Sequence, residues 1–416
     1  MLSSTPSASA LRTLAALIHP AGAAPLPADG LDATELVSAA REHRVAALLA
    51  RALESRGNLS GLEEAARAAL RRALLDQQQE RAQLDALGAT AAATLDAAGI
   101  PFVALKGTAL GAALYAAPAL RPMTDVDLLV APADKERALA ALAAAGFGRP
   151  SAELEAFWAD AFYNLPLDAP PEQAGKLELH WSIAQQGRHD PDVEGLLARA
   201  RVVETAAGRL PILSPVDLLL HQSLHLSYHY FEPKLIWLHD LALIHRDPPD
   251  AAESLARAQA WGMRLPLALA AAHVERVFPG TVSAPFRALA EESPRARTLL
   301  AWAGAGADEP LALLSGWDDR RRQLVYAVAT LDRPSQMARA LASWARRAAR
   351  HGDAAGRRKL PCEDARSAPS AAWARRTGPG QGRCRWWSTG PPVLEGGTRI
   401  RCGTRCTGAS FRRSPR

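Results

Sequence analysis

Thr124-Asp-Val-Asp-Leu-Leu-Val130 is the stretch on which the fold turns. It alternates at first and then becomes wholly apolar, the pattern of a strand that enters a core and carries charge at one end only. In a strand, residues i and i+2 share a face, so Asp125 and Asp127 lie together with alpha carbons roughly 6.6 Å apart. Two carboxylates so placed can chelate hard cations such as Mg²⁺, which prefers oxygen donors and keeps phosphate oxygens in its shell. An arbitrary Asp-x-Asp is more often a solvated strand end. The apolar Leu128-Leu129-Val130 weighs against that, because a buried strand opening on two acids is expensive unless they find a metal or a partner.

Upstream, Pro101-Phe-Val-Ala-Leu-Lys106 is a short apolar run between turn residues and predicts a buried strand, with a small-residue helix from Thr108 to Ala117. Leu105-Lys106-Gly107-Thr108 thus falls at a strand-to-helix junction, where glycine allows close backbone approach and a helix N-terminus offers N–H groups to phosphate. A tight turn alone can also demand that glycine, and no P-loop is present. Downstream, Pro132 and Asp134 open a helix that Gly146 stops, and strand-like runs return at 161–167, 177–183 and 201–205. In Leu177-Glu178-Leu179-His180-Trp181, alternation puts Glu178 and His180 on one face and Leu177, Leu179 and Trp181 on the other. Glu178 can supply a third carboxylate to a metal triad, or be a salt-bridged residue of an edge strand.

The order strand, helix, strand, helix, strands predicts an α+β fold: a small mixed sheet over residues 99–210, with helices on one side. Flanking regions read as helical. In residues 1–98, Asp32 and Glu35 form a capping-box start, and a long Ala/Leu/Arg helix runs from Leu62 to Ala98 before Gly99. Residues 211–350 resume the helical period at Ser214-Pro215-Val-Asp217, which supplies N-cap, N1 proline and an acidic first turn. On that helix His221, His225 and His229 fall at i, i+4 and i+8. They are either a zinc-binding row or a packed, partly polar face with His225 nearest the cleft. Asp240 pairs with a nearby cation or orients a helix toward the site.

The 416 residues carry a net charge of +6, but residues 351–416 hold 14 basic and 4 acidic residues, a balance of +10. Residues 1–350 carry 35 basic and 39 acidic residues and are net acidic, so nucleic acid is not an expected partner of the body. The basic segment, rich in Gly, Pro and Arg and holding all four cysteines and Trp386-Trp387, has no sustained period and reads as disordered. An Arg-rich arm, a zinc site or an altered reading frame are the other readings of it. No apolar stretch reaches membrane-spanning length and the first 25 residues make a poor signal peptide, so a soluble, cytoplasmic protein is expected.

Taken in order, Leu-Lys-Gly, then Leu114-Tyr115 and Arg121, then the Asp125-Val-Asp127 strand, then Leu-Glu-Leu-His-Trp, resemble the uncharacterised bacterial nucleotidyltransferase family of the DNA-polymerase-β-like superfamily. His225 and Ile236-Trp-Leu-His-Asp240-Leu-Ala-Leu243 extend the likeness, which covers roughly residues 30–300. The resemblance implies a sheet-centred transferase core that moves a nucleoside monophosphate from a nucleoside triphosphate to a hydroxyl acceptor. Asp125 and Asp127 would hold Mg²⁺ (or Mn²⁺) and the nucleotide, and Glu178 would act on the acceptor hydroxyl. Lys106, Gly107, Thr108 and Arg121 would meet the phosphates, with His180, His225 and Asp240 about the cleft. The superfamily's usual Gly-Ser turn is Lys106-Gly107 here, so Thr108 would replace the serine and Lys106 add charge. That departure leaves room for an alternative, a catalytically inactive nucleotidyltransferase-fold binding or regulatory module.

Overall fold

The computed structural model describes residues 7–22, 32–57, 61–206, 208–229, 234–303 and 329–351. The readings of the basic, cysteine-bearing segment lie outside the described residues. At the centre is a six-stranded mixed sheet in the order β3-β4-β2-β1-β6-β5. The strands are β1 (Phe102–Ala104), β2 (Val126–Val130), β3 (Asn164–Asp168), β4 (Lys176–His180), β5 (Arg201–Thr205) and β6 (Gly208–Ile212). The pairs β2–β4 and β1–β6 are parallel, and the other neighbours are antiparallel. The fold is α+β, as its element order predicts.

Some details differ from the sequence-based expectation, among them the strand Gly208–Ile212, which it lacked, and the helix expected over Thr108–Ala117, which spans Lys106–Leu114. The run from Ala161 is the end of a helix, Ala152–Ala161, and the strand behind it starts at Asn164. Ser151 caps that helix, its hydroxyl accepting from the backbone N–H of Leu154, a start signal masked by the aromatic residues that follow. Helices also cover both faces of the sheet rather than one. Val126, Leu128 and Val130 pack with Leu87, Leu95 and Leu139 on one face, while Val103, Leu105 and Leu129 pack with Leu219, Leu224 and Leu241 on the other. All five residues of β2 are consequently buried, which is what an interior strand of a two-sided sheet requires.

The first of these faces is covered by α4 (Glu64–Ala97) and α6 (Lys135–Ala144), the second by α9 (Pro215–Tyr228) and α10 (Leu235–Arg246). Helix α9 starts as its sequence dictates: Ser214 Oγ accepts from the backbone N–H of Asp217 at 3.2 Å, and Pro215 fills the first turn. Helix α10 is buried from Leu235 to His245, so it is an interior element rather than an amphipathic cover.

A buried ion pair ties α10 to the chain entering β2. Arg121 reaches Asp240 through Nη2 at 2.8 Å and Nε at 3.1 Å, Tyr115 Oη donates to Asp240 Oδ1 at 2.6 Å, and Arg121 Nη1 donates to the Pro122 carbonyl at 2.6 Å. Asp240 is fully buried. Burial pushes its carboxyl up, against the pull of Arg121 and Tyr115. Breaking such a pair from one side leaves an uncompensated charge in the core. Asp240→Ala is therefore expected to destabilise the protein by about 3–5 kcal/mol. Arg121→Met combined with Asp240→Leu should lose less than Asp240→Ala alone. Urea unfolding of the single and double variants checks both statements, and a double variant weaker than the single would contradict the ion-pair account.

Candidate active site

Parallel pairing of β2 with β4 sets Asp127 beside Glu178 and Leu129 beside His180. By alternation Asp127, Glu178 and His180 face α9, while Leu177 and Leu179 join the core on the opposite face. Strand β4 lies between β3 and β2, so Glu178 is not an edge-strand residue. All three polar residues are buried, Asp127 and His180 to 1% exposure and Glu178 to 6%. A carboxylate oxygen from each acid and a ring nitrogen of His180 all lie within 4.8 Å of one another.

The cation in this nest belongs to the chain itself. Strand β1 runs antiparallel to β2, and the Leu105 N–H donates to the Asp127 carbonyl at 2.9 Å, which brings the next residue, Lys106, alongside the acids. Its Nζ stands 2.6 Å from Asp127 Oδ1 and 3.4 Å from Glu178 Oε2. Lys106 opens α5 (Lys106–Leu114) with a φ of 39°, a left-handed conformation uncommon for a residue with a side chain. His180 Nε2 donates to Asp127 Oδ1 at 2.9 Å and stands 3.5 Å from Glu178 Oε2, and Asn164 Nδ2 donates to Glu178 Oε2 at 2.8 Å.

These contacts fix the charge states. Burial pushes the Asp127 and Glu178 carboxyls up, but the Lys106 ammonium and the His180 hydrogen bond overcome it and hold both below the usual carboxylate range. Lys106 is pushed well above its ordinary value: burial opposes it, and Asp127, Glu178 and then Asp125 outweigh burial. Burial pulls His180 down, and its hydrogen bonds to the two acids raise it above its ordinary value. His221 on α9 goes the other way, to about 3, through burial and then repulsion by Lys106.

The remaining predicted site residues are placed as follows. Asp125 precedes β2 and is half-buried. It accepts from the Thr124 hydroxyl at 3.2 Å and acts on the charges of Lys106 and Arg121, but stands outside the Asp127–Glu178–His180 group. Gly107 is buried under the segment leading to β2: an added Cβ would meet Met123 Cβ at 2.6 Å and Arg121 Nη1 at 3.1 Å. Thr108 is buried with its hydroxyl 4.0 Å from Met123 Sδ, and Arg121 is engaged by Asp240. The structure thus brings Asp127, Glu178, His180 and Lys106 together, and sets Gly107, Thr108 and Arg121 in the packing beneath them. His225 stacks edge-on against His229 and Trp237, with ring centroids 4.8 and 5.1 Å away, and its burial holds it well below its ordinary value. Among the described residues, the α9 histidines form no convergent ligand group.

Sequence reading missed Asn164, and singled out His221 only as one of the row of histidines on α9. Asn164 is a polar residue opening an apolar strand, which is a signal, but only the β3–β4 register opposite His180 shows what it serves.

A family model described as uncharacterised nucleotidyltransferase matches residues 29–279, and the mixed sheet with its helices fits an α+β core of that kind. The chain belongs to that family. No curated protein and no solved structure matches it. Among the described residues no helix is long and apolar enough to cross a membrane.

The charge balance has a measurable sign. With folded values below the ordinary range, ionised Asp127 and Glu178 stabilise the fold above about pH 5 and lose that contribution as pH falls through their depressed values. In Lys106→Met the principal depressing cause is gone, so burial and mutual repulsion raise both carboxyls. The variant is then expected to melt below the wild type at pH 8, with a gap that narrows steadily toward pH 5 as the acids take up protons. Thermal melts in a metal chelator across this range test it. A gap independent of pH would mean that Lys106 does not carry this balance.

Proposed function

We propose that the protein is a Mg²⁺- or Mn²⁺-dependent nucleotidyltransferase that moves a nucleoside monophosphate from a nucleoside triphosphate to a hydroxyl acceptor. The single observation that carries this reading is the pair of buried, ionised carboxylates on neighbouring parallel strands, with a cation already between them. Oxygen donors at this separation with one imidazole nitrogen fit a hard divalent ion. Asp127 and Glu178 would hold it, with Asp125 and His180 beside them. When bound, such an ion supplies charge neutralisation for the triphosphate and lowers the pKa of the attacking hydroxyl.

The chain's own residues do the rest. Helix α5 opens beside the acids without a side-chain cap, so its N-terminus and Lys106 present positive potential to phosphate oxygens. Glu178, ionised and steadied by Asn164, accepts the proton of the acceptor hydroxyl. The hydroxyl oxygen bonds to the α-phosphorus, the bond from that phosphorus to the bridging oxygen breaks, and pyrophosphate leaves. The neutral α9 face, with His221 and His225 uncharged, limits like-charge repulsion around Lys106.

A second reading keeps the fold and the ligand but not the reaction: a nucleotide-binding or regulatory module. The Lys106-Gly107 turn favours it, since the superfamily's serine contact to phosphate is missing and Thr108 is buried against Met123.

Titration with ATP and GTP in Mg²⁺ and in chelator, followed by pyrophosphate release over a panel of hydroxyl acceptors, separates the readings. Asp127→Asn is expected to remove both Mg²⁺-dependent nucleotide binding and transfer. Glu178→Gln should retain much of the binding while transfer falls by about 10²-fold or more. Nucleotide binding without pyrophosphate release for any acceptor would favour the module. Undiminished release by Asp127→Asn would sink the transferase reading of these carboxylates.

A further inference from the structure

We propose that Lys106 is a positioning residue that acts as a tethered stand-in for the metal. It holds Asp127 and Glu178 at chelating separation when no divalent ion is bound, and it must leave them when one arrives. The inference rests on the metal-dependent reading above and adds to it what the site does before the metal enters.

Three observations carry it. The ammonium contacts both carboxylates whose oxygens, with the His180 nitrogen, form the convergent donor group, so it occupies the space a divalent ion needs. A compact ammonium on a four-carbon stem resembles a small cation in being a point charge and in its preference for oxygen. A second cation on the same oxygens would meet strong repulsion at this distance, so metal and ammonium exclude each other.

The backbone of Lys106 is the second observation. Its φ of 39° places a side-chain-bearing residue in the left-handed region at the start of a helix, where glycine is the unstrained choice. Strain of this kind persists where surrounding contacts over-determine it, and here they include the two ion pairs and the bond from the Leu105 N–H to the Asp127 carbonyl. Releasing the ammonium removes two of the contacts that hold the strained conformation in place.

Accessibility is the third. The side chain of Lys106 keeps 19% exposure while that of Asp127 keeps 1% and that of Glu178 8%. The lysine is therefore the member of the cluster with a way out, and a rotation about its stem can carry the ammonium off the acids without unfolding them. Two buried acids with no cation between them would repel and draw the strands' side chains apart. Lys106 prevents that, and the hydrogen bonds from His180 and Asn164 keep the carboxylates aimed while the cations exchange.

The consequence is competition. Mn²⁺ binding, measured by calorimetry on the protein without nucleotide, should be tighter in Lys106→Met and Lys106→Gly than in the wild type, by about tenfold. A lysine that merely braces the fold predicts unchanged or weaker binding in both. Wild-type protein provides the second measurement. Acylation of lysine amines, read by peptide mass spectrometry, should find Lys106 protected without metal and several-fold more reactive in saturating Mn²⁺, while Lys176 is unchanged. Equal Mn²⁺ affinity in wild type and both variants, or Lys106 reactivity indifferent to bound Mn²⁺, overturns the proposal and leaves the metal-dependent reading standing. Absence of Mn²⁺ binding in the wild type and in both variants overturns the two together.

Discussion

Two carboxylates lie side by side on the central strands of a sheet that is buried on both faces, and the rest of the architecture accommodates them. Isolated, either charge would neutralise itself by taking up a proton, because the interior offers no water to solvate it. Here each finds a cation and a hydrogen-bond donor: Lys106 serves both acids, His180 serves Asp127, and Asn164 serves Glu178. The constraint propagates outward. To deliver Lys106, β1 must end level with the start of β2. To let the chain turn back over α5, position 107 must lack a side chain, since Met123 occupies the space where a Cβ would fall.

The supporting layer separates scaffold from chemistry. Arg121, Tyr115 and Asp240 form a network, extended by the Pro122 carbonyl and the His239 ring, that joins the segment before β2 to α10. It anchors the segment that leads through Asp125 into β2, and the Asp240 carboxylate is satisfied by Arg121 and Tyr115. Arg81 plays a comparable part beneath α5. It bonds to Asp85 and to the Pro118 carbonyl and approaches Gly111 so closely that any side chain there would meet its guanidinium. Arg121 and Gly107 thus hold backbone geometry near the site, while Lys106 places its positive charge on the acids.

Electrostatic asymmetry between the two sides of the site is also built in. The sheet side is ionised, with two acids, an ammonium and a histidine drawn toward protonation. The α9 side is neutral, since burial holds His221 at about 3 and His225 well below its ordinary value.

Local pattern was enough to locate the strands that carry the acids, because period-two alternation in 124–130 and 177–181 is a property of the pleated backbone itself. It was enough, too, for the capped starts at Asp32 and Ser214 and the long helix before Gly99, where the signal lies within a few residues. That Glu178 and His180 share a face was legible in the same way. Register was beyond it. That Asp127 meets Glu178, that Asn164 reaches Glu178, and that Lys106 stands between the acids depend on pairings across 14 to 72 residues of chain, which no local pattern encodes. The hidden strand β6, Gly-Arg-Leu-Pro-Ile, is as long as β2, but its glycine, arginine and proline mask it until β1 and β5 pair with it. Arg121, Thr108 and Gly107 were legible as residue types suited to phosphate. What each of them packs against was not legible: the buried Arg121 guanidinium meets Asp240, Thr108 lies against Met123, and the chain at Met123 crosses closest at Gly107.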